Sequence, residues 1–158
     1  MTTTNPKSRT VRTFLWIAAI LGGLAIVYAI MMGTMMSRMG NAPSDLDVST
    51  TRESDNGVFR VSYTPSTGSI PINQMHEWTL HVESADGTPV EDATITVDGD
   101  MPEHGHGLPT SPRGTEHLGK GDYRVEGLKF QMGGWWLMDF TITASGQTDA
   151  VHFNMVLK

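Results

Sequence analysis

Cysteine is missing from all 158 residues. Its absence excludes disulfides, thiolate zinc sites, iron–sulfur ligation and thiol catalysis together. Whatever the chain binds, it binds through nitrogen, oxygen or the thioether sulfur of its 11 methionines. Acidic residues are missing from the first forty positions, where Lys7, Arg9, Arg12 and Arg38 stand alone. The other 118 residues then hold 7 basic against 17 acidic side chains, a net charge of −10. Such an acidic body repels phosphate backbones and carries no basic patch with interleaved aromatics, which excludes nucleic acid as a partner. A helical apolar period is missing after residue 40, as are internal repeats and low-complexity segments. The hydrophobic share of 39% with clear turn punctuation argues against disorder of the main body.

One long apolar run is present. From Phe14 to Met36 no charge interrupts 23 residues, a helix of about 34 Å against a hydrocarbon core of about 30 Å. This predicts an uncleaved transmembrane anchor over 14–36 behind a basic tail, 1–13, because the run exceeds the apolar length of a removable signal. Lys7, Arg9 and Arg12 put the tail in the cytoplasm by the positive-inside rule, and the C-terminal part outside the cell (inner) membrane, in a periplasm-like space. Met31, Met32, Met35, Met36 and Met39 crowd the outer end. They read as adaptable apolar filler, with a soft thioether relay for Cu(I) as the alternative.

Residues 37–56 are polar and aperiodic, the pattern of a linker. From 57 to 158 short alternating runs follow one another: Gly57–Thr64; Met75–Glu83, with His76, Trp78, Leu80 and Val82 on one face; Ala93–Val97; Tyr123–Val125; Leu128–Met132; Trp136–Ile142; and Val151–Leu157. Asp86-Gly87, Asp98-Gly99, Gly119–Asp122 and Ser145–Gln147 read as turns or breaks between them. About seven strands at this spacing predict an all-β fold, an immunoglobulin-like β-sandwich, with a barrel as the alternative.

The segment Met101–Pro112, MPEHGHGLPTSP, interrupts the strand pattern with three prolines and two glycines. If extended, His104 and His106 leave the same face with Cα atoms about 6.6 Å apart, close enough for two imidazoles to reach one ion. Met101 adds a thioether upstream. Two imidazoles and a thioether without thiolate favour Cu(I) over Cu(II). The plain alternative is one imidazole bonded to the loop backbone and the other solvated. Met132, before the Gly133-Gly134 break, is a further candidate donor or ordinary packing. Trp135 and Trp136 must point to opposite faces, with Trp136 in the core and Trp135 free to shield a site or an interface. His76 reads as a hydrogen-bonded core or rim residue, and His81, His117 and His152 as surface residues. No nucleophile, base and orienter can be assembled around Glu103 or Glu116, so no enzyme is expected.

Three pieces of this sequence resemble the YtkA-like domain family, which overlaps in pattern with membrane-anchored FixH-like proteins. They are Asn73-x-x-His76-x-Trp78-x-Leu80; Met101-Pro102-Glu103-His104-Gly105-His106-Gly107; and Tyr123-x-Val125 with Phe130-x-Met132 and Gly134-Trp135-Trp136. The resemblance implies an extracytoplasmic immunoglobulin-like domain associated with copper handling and haem–copper oxidase assembly. Gly133 stands where the family pattern has proline, which implies a looser loop beside Met132. The expected function is a membrane-anchored copper-binding protein, holding copper through His104, His106, Met101 and Met132 and passing it to an oxidase or another cuproprotein. The alternative is a protein-interaction module, without metal, that assists assembly of a membrane complex.

Overall fold

The computed structural model describes residues 43–158. The basic tail, the expected anchor over 14–36, its methionines and the first part of the linker lie outside the described residues. Among the described residues nine strands form, and no helix is long and apolar enough to cross a membrane. They are β1 (Thr51–Glu53), β2 (Phe59–Pro65), β3 (His76–Ser84), β4 (Thr94–Met101), β5 (His106–Gly107), β6 (Arg113–Gly119), β7 (Asp122–Leu128), β8 (Gly134–Ala144) and β9 (Gln147–Leu157).

Alternation drives the assembly. In β3, His76, Trp78, Leu80 and Val82 are buried while the residues between them are more exposed, and Phe59, Val61 and Tyr63 do the same in β2. The inner faces of β8 and β9 contribute Trp136, Met138, Phe140 and Ile142, and Val151, Phe153, Met155 and Leu157. Tyr63 stacks on Trp78 with ring centroids 4.5 Å apart and meets Phe153 edge-on at 5.0 Å. Trp78 in turn lies 6.3 Å from Phe140. Aromatic rings thus carry the core between β2-β3 and β8-β9, with the offset and edge contacts that ring quadrupoles favour.

The strands pair antiparallel in the order β1-β2-β3-β7-β6-β4-β8-β9, with β5 on β4. The all-β expectation holds. The arrangement is closer to a barrel than to the expected two separate sheets, because pairing runs on from β6 to β4 through the single register pair Thr96↔Arg113. The open side is drawn together by Asp149. Its carboxylate accepts hydrogen bonds from the Asn56 backbone N–H (2.9 Å), the Asn56 side-chain amide (2.8 Å) and the Val58 N–H (3.4 Å), while the Asp55 N–H donates to the Ala150 carbonyl at 2.8 Å.

Three strands lie where no strand was expected: β1, β6 and the two-residue β5 within Met101–Pro112. β1 sits inside the stretch read as a linker and pairs Thr51–Glu53 with Arg60–Ser62. β6 is exposed at most positions, so it shows no alternation to read. β4 also runs past the expected break at Asp98-Gly99 as far as Met101, with Asp100 opposite Leu137 of β8. Leu128–Met132 does not form a strand of its own: β7 ends at Leu128, and Phe130 makes only an isolated bridge to Ile72.

Candidate functional site

The His segment is a hairpin rather than an extended loop. β4 ends at Met101 and β5 begins at His106, and the two residues are register partners. Between them the chain folds back, with the His104 and Gly105 N–H groups both donating to the Met101 carbonyl at 2.9 Å. Gly105 adopts φ +66, the left-handed region in which only glycine is free of Cβ strain. His104 therefore stands in the turn and His106 in the returning strand. The expected common face of an extended His-x-His is replaced by a bend that still keeps the rings together, with centroids 5.7 Å apart and planes at 24°.

Directly opposed residues of an antiparallel pair project to the same side of the sheet. Met101 and His106 therefore share a side, but at different depths. Met101 has 0% exposure and belongs to the core, while His106 is exposed above it. His106 reaches over the end of the core to meet Trp136 edge-on, with ring centroids 6.3 Å apart and planes at 67°. Trp136 is fully buried and donates its indole N–H to the Met132 carbonyl at 3.1 Å. Met132 itself is 38% exposed. The Met101 methyl comes so near Gly134 that a Cβ there would stand 2.8 Å from it. One end of the fold thus gathers His104 and His106 outside, Met101 beneath, and Trp136 and Gly134 as the wall, with Met132 in the adjoining turn.

Gly133 is not loose. A Cβ at this position would stand 3.0 Å from the Leu157 carbonyl oxygen and 3.5 Å from Ile72 Cδ1, so the turn before β8 packs directly on the backbone of β9. The absence of a side chain here is a condition of close approach.

Gln131 was not among the residues singled out from the sequence. Its amide nitrogen lies 3.0 Å from His106 Nδ1 and 3.2 Å from the Gly107 carbonyl oxygen. Its carbonyl oxygen Oε1 is shut off from solvent with no hydrogen-bonding partner among the described residues, as is Oε1 of Glu103 in the hairpin turn. Alternation with buried Phe130 is the only signal that turns Gln131 away from the core, and nothing in sequence spacing says which segment it meets.

The remaining histidines are placed elsewhere. His76 is buried, with Nδ1–H donating to the Gln74 carbonyl at 3.1 Å, and desolvation pushes its pKa down despite that bond. It packs 5.5 Å from Phe130, as expected of a core or rim residue. His81 lies between Asp122 (2.6 Å) and Glu83 (3.2 Å), and His117 meets Glu91 at 3.2 Å. His152 lies between Asp139 and Asp55. Each of these is partly exposed and paired with acids.

Among the described residues no group of three or more His, Asp or Glu side chains converges as an ion site. A cation at the hairpin would therefore be held by the two imidazoles with thioether help. Two imidazoles sharing one ion through nitrogens at about 2.0 Å bring their centroids to roughly 5 to 6 Å, a range that includes the present 5.7 Å. Of these donors the thioether is soft and selects Cu(I), while imidazole suits zinc, copper, iron and nickel.

A family model described as YtkA-like matches residues 64–141, a span that includes Met101, His104, His106, Gln131 and Met132 and leaves out β1 and β9. No curated protein and no solved structure matches the chain.

Proposed function

The chain belongs to the YtkA-like family through residues 64–141, and from that premise we propose that it is a non-catalytic copper-handling protein. His104 and His106 are the entry donors for Cu(I), which is favoured over Cu(II). Met101 is the thioether beneath them and Met132 the additional donor from the turn. The supporting observation is the β4–β5 hairpin, which sets Met101 and His106 directly opposite each other and holds the His104 ring 5.7 Å from that of His106. Copper here is cargo. Exposed imidazoles on a turn let an acceptor's donors add before the original ones leave, so transfer proceeds by ligand exchange, while Trp136 closes the inner side to water. In this proposal residues 14–36 anchor the chain in the inner membrane, 57–158 stand on the outer side, and the acceptor is a haem–copper oxidase or another cuproprotein.

Titrating the full chain with Cu(I) under reducing conditions, beside a His104→Ala/His106→Ala variant, tests the proposal. The expected result is one-to-one binding that the variant loses while its fold persists by circular dichroism. Uptake by the wild type no greater than by the variant overturns it. A protein-docking role without metal would then be the better reading, favoured by Val156, 47% exposed on the edge strand β9 opposite Trp135.

A further inference from the structure

We infer that Gln131 is the positioning residue of the hairpin, and that its amide turns over between a metal-free and a metal-bound arrangement of His106. The inference rests on the copper reading above. It starts from the two contacts of the Gln131 amide nitrogen, to the Gly107 carbonyl at 3.2 Å and to His106 Nδ1 at 3.0 Å.

The Gly107 carbonyl can only accept, so the amide end facing it is the NH2 group. Its second N–H then points at His106 Nδ1, which must accept. A neutral imidazole that accepts at Nδ1 carries its proton on Nε2. Gln131 therefore fixes the tautomer of His106 and ties β5 to the turn before β8, across 25 positions of sequence.

With Nδ1 occupied, the nitrogen left to an incoming ion is Nε2. Ligation there needs the Nε2 lone pair, so the proton on Nε2 leaves to solvent and Nδ1 takes one up, and the ring remains neutral. Nδ1–H then faces an amide N–H, donor against donor. A half-turn of the Gln131 amide removes that conflict by bringing Oε1 to Nδ1–H. Oε1 is the atom that is now buried without a partner. An unpartnered buried acceptor costs about 1–3 kcal/mol; the half-turn gives it a donor, but it also breaks the bond to Gly107, sets Oε1 against that carbonyl oxygen and moves the NH2 group to where Oε1 stood, so it occurs only as far as ligation at Nε2 drives it. Histidines that hold metal ordinarily donate their other N–H to an oxygen in this way, and removing that oxygen costs about 10- to 100-fold in affinity.

The test uses the 15N-labelled full chain, with long-range nitrogen–proton spectra of His106 and Cu(I) as the probe. The metal-free wild type is expected to show the Nε2–H tautomer alone; Gln131→Leu relaxes it to the Nε2–H-rich mixture of a solvated imidazole and lowers Cu(I) affinity by up to about 10- to 100-fold. Gln131→Glu supplies only acceptor oxygens, so it should hold Nδ1–H before any metal is added and restore affinity relative to Gln131→Leu. An Nδ1–H His106 in the metal-free wild type, or a Gln131→Leu chain with unchanged tautomer and affinity, overturns the inference. Failure of the copper reading appears separately: the wild type then takes up no Cu(I), whatever the spectra of the metal-free chain show.

Discussion

At the scale of single residues, Met101 is asked to serve both as core and as donor. It is fully buried, and truncating a buried methionine removes apolar contacts and leaves a cavity, so Met101→Ala should destabilise the domain by about 2–5 kcal/mol. Loss of copper in that variant would decide nothing. Met101→Leu conserves volume and should cost less than about 1.5 kcal/mol, yet it has no sulfur. If the thioether serves as a donor, Met101→Leu keeps its denaturation midpoint near wild type and binds Cu(I) more weakly. Equal affinity would reduce Met101 to packing alone. The chemical types of Met101, His104 and His106 were legible in sequence. The depth of Met101 was legible too, in hindsight, because Ile95, Val97, Gly99 and Met101 keep a period of two that ends on the buried methionine. Gly99 hid it: Asp98-Gly99 reads as a turn, but a Cβ at Gly99 would stand 2.5 Å from Met138 Sδ, so this glycine marks close packing inside a strand. The contact of Gln131 with His106 joins two segments 25 residues apart and has no local signal.

At the scale of elements, the β4–β5 hairpin depends on Gly105. Nothing lies within 4 Å of a Cβ built there, so Gly105→Ala would act through the left-handed backbone alone. The expected cost is about 1 kcal/mol, felt mainly in the turn. Faster amide exchange at His104 and Gly105 with little change in the rest of the sheet would bear this out, whereas a loss spread over the sheet would show that the hairpin is integral to the core. Elements with one buried face, such as β3, β8 and β9, were readable because burial imposes alternation. β6 was not, since its side chains are mostly exposed and its partners β7 and β4 hold it through the backbone. β1 has only three residues, fixed by pairing with β2, and its local composition is that of a linker. The continuation from β6 to β4 through one register pair, which turns an expected sandwich into a near-barrel, is a long-range event with no periodic signature.

At the scale of the whole domain, closure beside β9 is electrostatic and should give stability two different pH limits. Burial alone would push the Asp149 carboxyl up, but hydrogen bonds from Ser54 and Asn56, with backbone N–H groups of Asn56 and Ala150, hold it well below the usual carboxylate range. A depressed folded pKa contributes stability that is present above the unfolded value of about 3.9 and lost as pH falls below it. His152 works in the opposite sense. Its hydrogen bond to Asp139 raises its pKa, against a smaller pull from burial, and the bond to Asp55 raises it further. Its contribution is fully present below the unfolded value of about 6.5 and is lost as pH climbs through the raised folded value. Both groups tie the turn after β1 to the far edge of the fold: Asp149 through Asn56, and His152 through Asp55, with Asp139 on β8 opposite it and Asp98 on β4 beyond. Taken alone, these two groups give the wild-type thermal midpoint a plateau between about pH 4 and 6.5 with a decline on both sides; His76, whose pKa burial lowers, adds a loss as pH falls below about 6.5, and His81, which burial pulls down but its bonds to Asp122 and Glu83 raise overall, shares the alkaline decline. Asp149→Asn should lower the plateau and make the acid side shallower, because the substituted amide has no proton to gain there. His152→Gln should leave the acid side unchanged and make the decline above neutrality shallower, with His81 supplying what remains. Midpoints whose alkaline decline is the same in His152→Gln and wild type would show that the Asp55–His152–Asp139 bridge contributes no stability in solution, leaving closure to Asp149 and the Asp55–Ala150 backbone bond.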